Sequence, residues 1–219
     1  RIQPGQQPWL RVPEIDIGNT DLIEAKRLPP SLDTRSQRRE ITLPTGKFIV
    51  PPVHSIDDSG PTATVHLPDE KATLAVGERL AQALPDRLTI YLVGDLGAGK
   101  TTLCRGLLRG LGYSGKVKSP TYNLVESYKD SRIVVYHFDF YRFADASEFL
   151  EAGLEEYFEG SGVRLVEWPD RAKPFLPAAD LEIRIQIDGG GGRTLTLLPL
   201  SPKGRTCLHD LDSSSAEQT

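Results

Sequence analysis

A three-layer α/β fold, with parallel and antiparallel strands on one sheet, is what this sequence predicts, and three stretches carry that reading. An apolar run, Leu88-Thr-Ile-Tyr-Leu-Val93, enters the glycine-rich Gly94-Asp95-Leu96-Gly97-Ala98-Gly99-Lys100-Thr101 and leaves it through an amphipathic pattern from Thr102 to Leu111. Val163-Arg-Leu-Val-Glu-Trp168 is a second strand of the buried type, as parallel strands covered on both faces are. Leu181 to Ile187 and Arg193 to Leu197 alternate with period two around Gly189 to Gly192, which predicts an antiparallel hairpin.

The chain divides by composition. Residues 1–64 hold nine of the seventeen prolines and no apolar pattern of helix length, which predicts a disordered arm or a fragment of another domain. Within them only Arg39 to Val50, around Pro44-Thr45-Gly46, suggests a hairpin. The folded domain is expected over 65–200, and 201–219 reads as a polar, disordered tail. A net charge of −4 predicts no strong grip on DNA or on a membrane surface, although a local basic patch stays open. No apolar run approaches 18 residues, so a cytoplasmic protein is expected. No methionine occurs, position 1 included, which suggests a start further upstream. The two cysteines, Cys104 and Cys207, are too few and too distant for a disulfide framework, and neither has a ligand neighbour at metal spacing.

In chain order, Pro68-Asp69-Glu70 opens a helix with apolar positions Leu74, Ala75, Leu80, Ala81 and Leu84, closed by Pro85. The strand at 88–93, the glycine-rich turn and a helix over 101–111 follow, with Gly112 at the stop. Tyr122 to Tyr128 and Arg132 to Phe140 pair as a hairpin turned by Lys129-Asp130-Ser131, and Ser147 to Phe158 reads as a helix.

Gly94 to Thr101 satisfies G-x-x-x-x-G-K-[ST] between a strand and a helix start, the context in which that pattern carries a mechanism. The backbone N–H groups of Gly94, Asp95, Leu96, Gly97, Ala98 and Gly99 can turn on a polyphosphate, reinforced by the helix N-terminus through Thr102. Lys100 can reach the β- and γ-phosphates, and the Thr101 hydroxyl can ligate Mg²⁺. The fold predicted is therefore P-loop NTPase-like. Asp139 and Glu167 each close a strand and would face the crevice beside the loop, where a carboxylate holds Mg²⁺ or polarises water. Thr121, after Ser119-Pro120, offers a second hydroxyl for the metal. His137 shares Asp139's strand face and reads as packed or hydrogen-bonded, while Tyr141 and Trp168 read as packing residues. The only asparagines, Asn19 and Asn123, do not begin Asn-Lys-x-Asp, so ATP is favoured over GTP. A small-molecule or nucleoside kinase and a nucleotide-gated binding module remain as alternatives; the acid-rich segment after Ser147 makes a poor kinase lid.

Four stretches then fall together in order: Gly94 to Thr102, Ser119-Pro-Thr-Tyr122, His137-Phe-Asp-Phe-Tyr-Arg142 and Val166-Glu-Trp-Pro-Asp-Arg171. They resemble the motif set of the TsaE (YjeE) family of bacterial P-loop ATPases, over roughly residues 66–199. The resemblance implies an ATPase that uses Mg²⁺ and works with the TsaB–TsaD pair, and through that complex with tRNA, in making N6-threonylcarbamoyladenosine next to the anticodon. It also implies roles by position. Lys100 would grip phosphate, Thr101 would ligate Mg²⁺, Asp139 and Glu167 would be the essential acids, and Thr121 would sit in a switch-like loop. Asp170 stands where the family more often has Glu.

Overall fold

The structure is a computed structural model and describes residues 62–129 and 132–213. The expectations for 1–61, including the hairpin at Pro44 to Gly46, lie outside the described residues, as do two residues of the turn at 129–131.

Among the described residues the chain forms thirteen elements: β1 (Ala63–Leu67), α1 (Glu70–Leu80), β2 (Arg87–Val93), α2 (Lys100–Gly110), β3 (Val125–Tyr128), β4 (Val135–Asp139), α3 (Glu148–Glu151), a 3₁₀ turn (Leu154–Phe158), β5 (Gly162–Glu167), a second 3₁₀ turn (Pro169–Arg171), β6 (Leu181–Ile187), β7 (Arg193–Pro199) and α4 (Pro202–Ser213). The strands form one sheet in the order β1-β7-β6-β2-β5-β4-β3. Its centre is parallel, with β2 between β6 and β5 and β4 beyond β5. The flanks are antiparallel: β6 with β7, β7 with β1, and β3 with β4.

Side chains alternate across a strand, so each central strand feeds two cores. Leu88, Ile90 and Leu92 of β2, with Val163 and Leu165 of β5, face Leu80 of α1 and Leu103 and Leu107 of α2. Tyr91, Phe138 and Val166 point the other way, against Phe149, Leu154 and Phe158. The second core is rich in rings, with Phe138 stacked on Phe158 at 5.1 Å between centroids and Phe149 edge-on to Phe158 at 5.7 Å. Each such buried side chain contributes about 1.5–3 kcal/mol. Short elements on that face therefore suffice to close the third layer.

Two expectations are corrected. The helix expected over 147–158 is broken: α3 stops at Glu151 and a 3₁₀ turn starts at Leu154, because Gly153 takes a left-handed φ of 64°. That bend aims Phe149, Leu154 and Phe158 into one core, which a straight helix would spread around its axis. The segment after 201, expected as a disordered tail, forms α4 over Pro202–Ser213 with Cys207 and Leu208 buried. Ser201 caps it, its Oγ accepting from Gly204 N at 3.2 Å and donating to Asp180 Oδ1 at 2.6 Å. Among the described residues no helix is long and apolar enough to cross a membrane.

Candidate nucleotide-binding site

The two helices that begin near the sheet's parallel centre treat their N-termini differently. α1 is closed by its own sequence: Asp69 accepts from Ala72 N at 2.8 Å, and Glu70 lies in the first turn. α2 has neither device. Its N-cap is Gly99 at φ 112°, with no side-chain cap and no acid in the first turn. Its leading N–H groups and positive dipole end are left for an anion.

The loop before α2 must pass close to β6. A Cβ on Gly94 would meet the Ile185 carbonyl oxygen at 2.4 Å, and φ there is 156°. Gly97 also has a positive φ, 79°, but open space around it, while Leu96 is exposed. Ala98 is buried; its N–H bonds Asp95 O at 3.1 Å, and its carbonyl accepts from Arg193 Nε of β7 at 3.3 Å. Thr102, half-buried in the first turn of α2, completes the loop set. Lys100 is folded back along this loop, donating to Gly94 O at 2.7 Å and Asp95 O at 2.9 Å. Its Nζ also lies 4.2 Å from the centre of the Trp168 ring. Burial pulls the Lys100 pKa down, opposed by the charges of Glu167 and Asp139.

The parallel register brings the acids to the same edge. Asp139 and Glu167 are direct partners across β4 and β5, and Glu167 pairs with Leu92 of β2, two residues before Gly94. Both acids are buried. Glu167 Oε1 accepts from Thr101 Oγ1 at 2.8 Å and from His137 Nε2 at 2.9 Å. Asp139 Oδ2 accepts from Thr121 Oγ1 at 2.7 Å and, in a shorter contact, from Ser119 Oγ; Oδ1 accepts from Tyr141 N at 2.9 Å. Thr101, Thr121, Asp139 and Glu167 thus form one group of hard oxygen ligands beside an open helix N-terminus, the donor set that Mg²⁺ with a polyphosphate requires. The residues fit that pair of ligands.

Some participants stand out only once the chain is folded. Ser119 joins Thr121 on Asp139. His137, read as a packed or hydrogen-bonded histidine, holds Glu167. Trp168, read as a packing residue, takes φ 59°, an uncommon left-handed conformation that lays its ring against Lys100 and 5.0 Å from Tyr141. The signal available was its place between Glu167 and Pro169. Cys104, to which the sequence assigned no ligand neighbour, comes to lie with His137 and Glu167.

Comparisons with known proteins agree with this architecture. The family described as Threonylcarbamoyl adenosine biosynthesis protein TsaE matches residues 67–195. A protein of Haemophilus influenzae named tRNA threonylcarbamoyladenosine biosynthesis protein TsaE is 44% identical over 127 residues, covering 56% of this chain and 80% of that protein. A Synechocystis protein of the same name is 45% identical over 117 residues, covering 51% and 73%. Among solved structures, Bacillus subtilis YdiB superposes with a TM-score of 0.62 at 30% identity, over 70% of this chain and 95% of that one.

Proposed function

The chain belongs to the TsaE family, and from that premise we propose that it binds and hydrolyses ATP with Mg²⁺, as the ATPase subunit acting with TsaB–TsaD in N6-threonylcarbamoyladenosine synthesis on tRNA. Its part in threonylcarbamoyladenosine biosynthesis follows from the family; the chemistry is argued from the site. The observation that carries it is the 2.8 Å contact between Thr101 on α2 and Glu167 on β5, which joins the phosphate loop to the strand-end acids.

Each residue has a task it can perform where it stands. Lys100 leaves the Gly94 and Asp95 carbonyls for phosphate oxygens, and the free N–H groups of α2 hold the same anion. Thr101, Asp139 and Glu167 offer oxygens to the metal, with Thr121 released from Asp139 as a further hydroxyl. Mg²⁺, when bound, neutralises charge on the phosphates. Glu167, steadied by His137, is the acid placed to orient the attacking water. Among the described residues no arginine finger is evident. Arg193 is engaged with the loop carbonyl of Ala98, and Arg142 stacks on Tyr122 at 4.2 Å. Hydrolysis by the isolated chain should therefore be slow, below the roughly 1–100 per second of dedicated kinases, and should rise when TsaB–TsaD is added.

The test is an ATPase assay of the chain alone and with TsaB–TsaD, beside Lys100→Ala. The expected outcome is acceleration by the pair, and loss of both binding and turnover in a variant that still folds. ATP-dependent phosphorylation of a nucleoside, with no response to TsaB–TsaD, would sink this reading in favour of a kinase.

A further inference from the structure

Behind the Thr101–Glu167 contact lie two groups to which hydrolysis assigns no task, the Cys104 thiol and the second ring nitrogen of His137. Cys104 is three residues along α2 from Thr101, so both side chains leave the helix on one face. His137 lies two residues before Asp139 on β4 and shares that strand face. Single ligand atoms of Cys104, His137 and Glu167 lie within 4.8 Å of one another, and all three residues are buried. A carboxylate oxygen only accepts, so His137 Nε2 carries the hydrogen it gives to Glu167. The other ring nitrogen, Nδ1, is then a bare lone pair, sealed from solvent with no hydrogen-bond partner. Such an orphan is costly to the fold, and it belongs to a ring that sits with a thiol and a carboxylate.

We propose that Cys104, His137 and Glu167 form a binding site for a thiophilic divalent cation of the zinc type, sharing Glu167 with the oxygen ligands that suit Mg²⁺ and differing from them in its thiol and imidazole. A thiolate and a carboxylate cancel the two positive charges of the ion, and a neutral imidazole completes the set, so the filled site is uncharged, as a buried site must be. Magnesium has no use for a thiolate, and zinc and cobalt do. Tetrahedral ligation would put the ligand atoms about 3.3–3.6 Å apart, so the three side chains need to close by roughly 1 Å. Burial pushes the Cys104 thiol well above its ordinary range, so it stays a neutral S–H until an ion displaces the proton. Binding therefore releases one proton. A filled site also draws Glu167 away from Thr101. Zinc should then stop turnover, a consequence that rests on the proposed hydrolysis while the binding itself does not.

The test titrates Co²⁺ alone into the full chain without nucleotide and follows absorption. One equivalent should raise the near-ultraviolet band of thiolate-to-cobalt charge transfer. Cys104→Ser should remove the band and weaken binding by more than about 100-fold, the upper range for losing even an outer-sphere partner. Cys104→Ala serves in its place if the serine variant does not fold, and Cys207→Ser should keep the band. No band in the wild type, a band that survives loss of Cys104, or one that vanishes with Cys207 overturns the site. In a second arm, stoichiometric Zn²⁺ should arrest MgATP hydrolysis by the wild type and leave Cys104→Ser running at its own zinc-free rate. Equal arrest of both overturns the inhibitory role. A wild type that hydrolyses no ATP at all counts against the proposed function, while the cobalt band still decides the site.

Discussion

Glu167 shows how one side chain can be fixed by neighbours from three elements. Its Oε1 takes hydrogens from Thr101 on α2 and His137 on β4, while its backbone is locked between β2 and β4. A carboxamide of the same shape keeps the volume and loses the charge. Glu167→Gln should therefore bind ATP nearly as well as the wild type and turn it over more slowly by about 10²–10⁴-fold, the usual worth of a placed acid–base group. Isothermal titration set beside a steady-state rate separates the two effects, and a matching loss of affinity would make Glu167 a binding residue only. Arg164, next but two along β5, is wholly buried yet has carbonyls rather than carboxylates as partners: Tyr157, Glu159, Ser161 and Gly162 at 2.6–3.1 Å, and Gly160 at 3.3 Å. Only a planar fork reaches so many at once, so Arg164→Lys should lose about 1–3 kcal/mol in denaturant unfolding, from carbonyls left unsatisfied. At this scale the sequence was legible where chemistry follows spacing. Lys100 and Thr101 stand out by their loop, and Asp139 and Glu167 by ending strands. His137 as a hydrogen-bonded histidine and Trp168 as a packing residue were legible too, but their partners Glu167 and Lys100 were not, because a cross-strand register and a left-handed backbone choose them and neither shows in residue type.

The helices α1 and α2 lie unusually close, and glycine is the reason. A Cβ on Gly106 would meet the Leu74 carbonyl oxygen at 2.2 Å, one on Gly77 the Leu103 carbonyl oxygen at 2.5 Å, and one on Gly110 the Glu78 carbonyl oxygen at 2.6 Å. Three backbone-to-backbone approaches in a row leave no side chain to yield. Gly106→Ala gains about 1 kcal/mol of intrinsic helix propensity. The helices must nevertheless move apart, and overpacking of this kind costs about 1–3 kcal/mol. The net expectation is a lower urea midpoint, with weakened nucleotide binding because Thr101 and Lys100 ride on the displaced helix. A midpoint that rises would show that the approach is slack. The presence of α1 and α2 was readable from periodicity and caps, but their closeness was not, since glycines inside a helix otherwise read only as weak points. The break at Gly153 and the helix α4 were missed for the opposite reason. Local pattern favoured continuity in the first and disorder in the second. In α4, Cys207, Leu208 and Leu211 do recur at helical spacing, but Pro202 and Gly204 mask it. Gly204 is required because Asp180 passes close, a Cβ there meeting its carbonyl oxygen at 1.9 Å.

Across the whole molecule, the sheet order explains both the site and the pH range in which the fold should hold. With β2 flanked by β5 and β6, the loop after β2 opens where neighbouring strands also end, and the register of β4 on β5 delivers Asp139 beside Glu167. The mixed sheet was legible from alternating and continuous apolar runs; which strand neighbours which was not, because that choice is made by packing on both faces. The same two-sided burial encloses four groups that ionise by losing a proton. Burial raises Cys104 well above its ordinary value near 9.0, Cys207 to about 12, Tyr128 from 10.0 to about 12, and Tyr91 higher still. In each case the folded chain holds its proton more tightly than the unfolded chain. Their contribution is therefore complete below the unfolded values and is lost as pH climbs through 9 and 10 toward the folded ones. Lys100, whose pKa burial lowers, acts in the opposite sense, but it is one group against four. Stability should thus be level with respect to these groups below about pH 8 and decline steadily above pH 9, read as a melting temperature from pH 7 to 11. Replacing both cysteines by alanine should flatten the first part of that decline, between pH 9 and 10, and leave the tyrosine-dependent part above it. A double variant that melts with an unchanged slope across that interval would place the alkaline limit outside these two thiols.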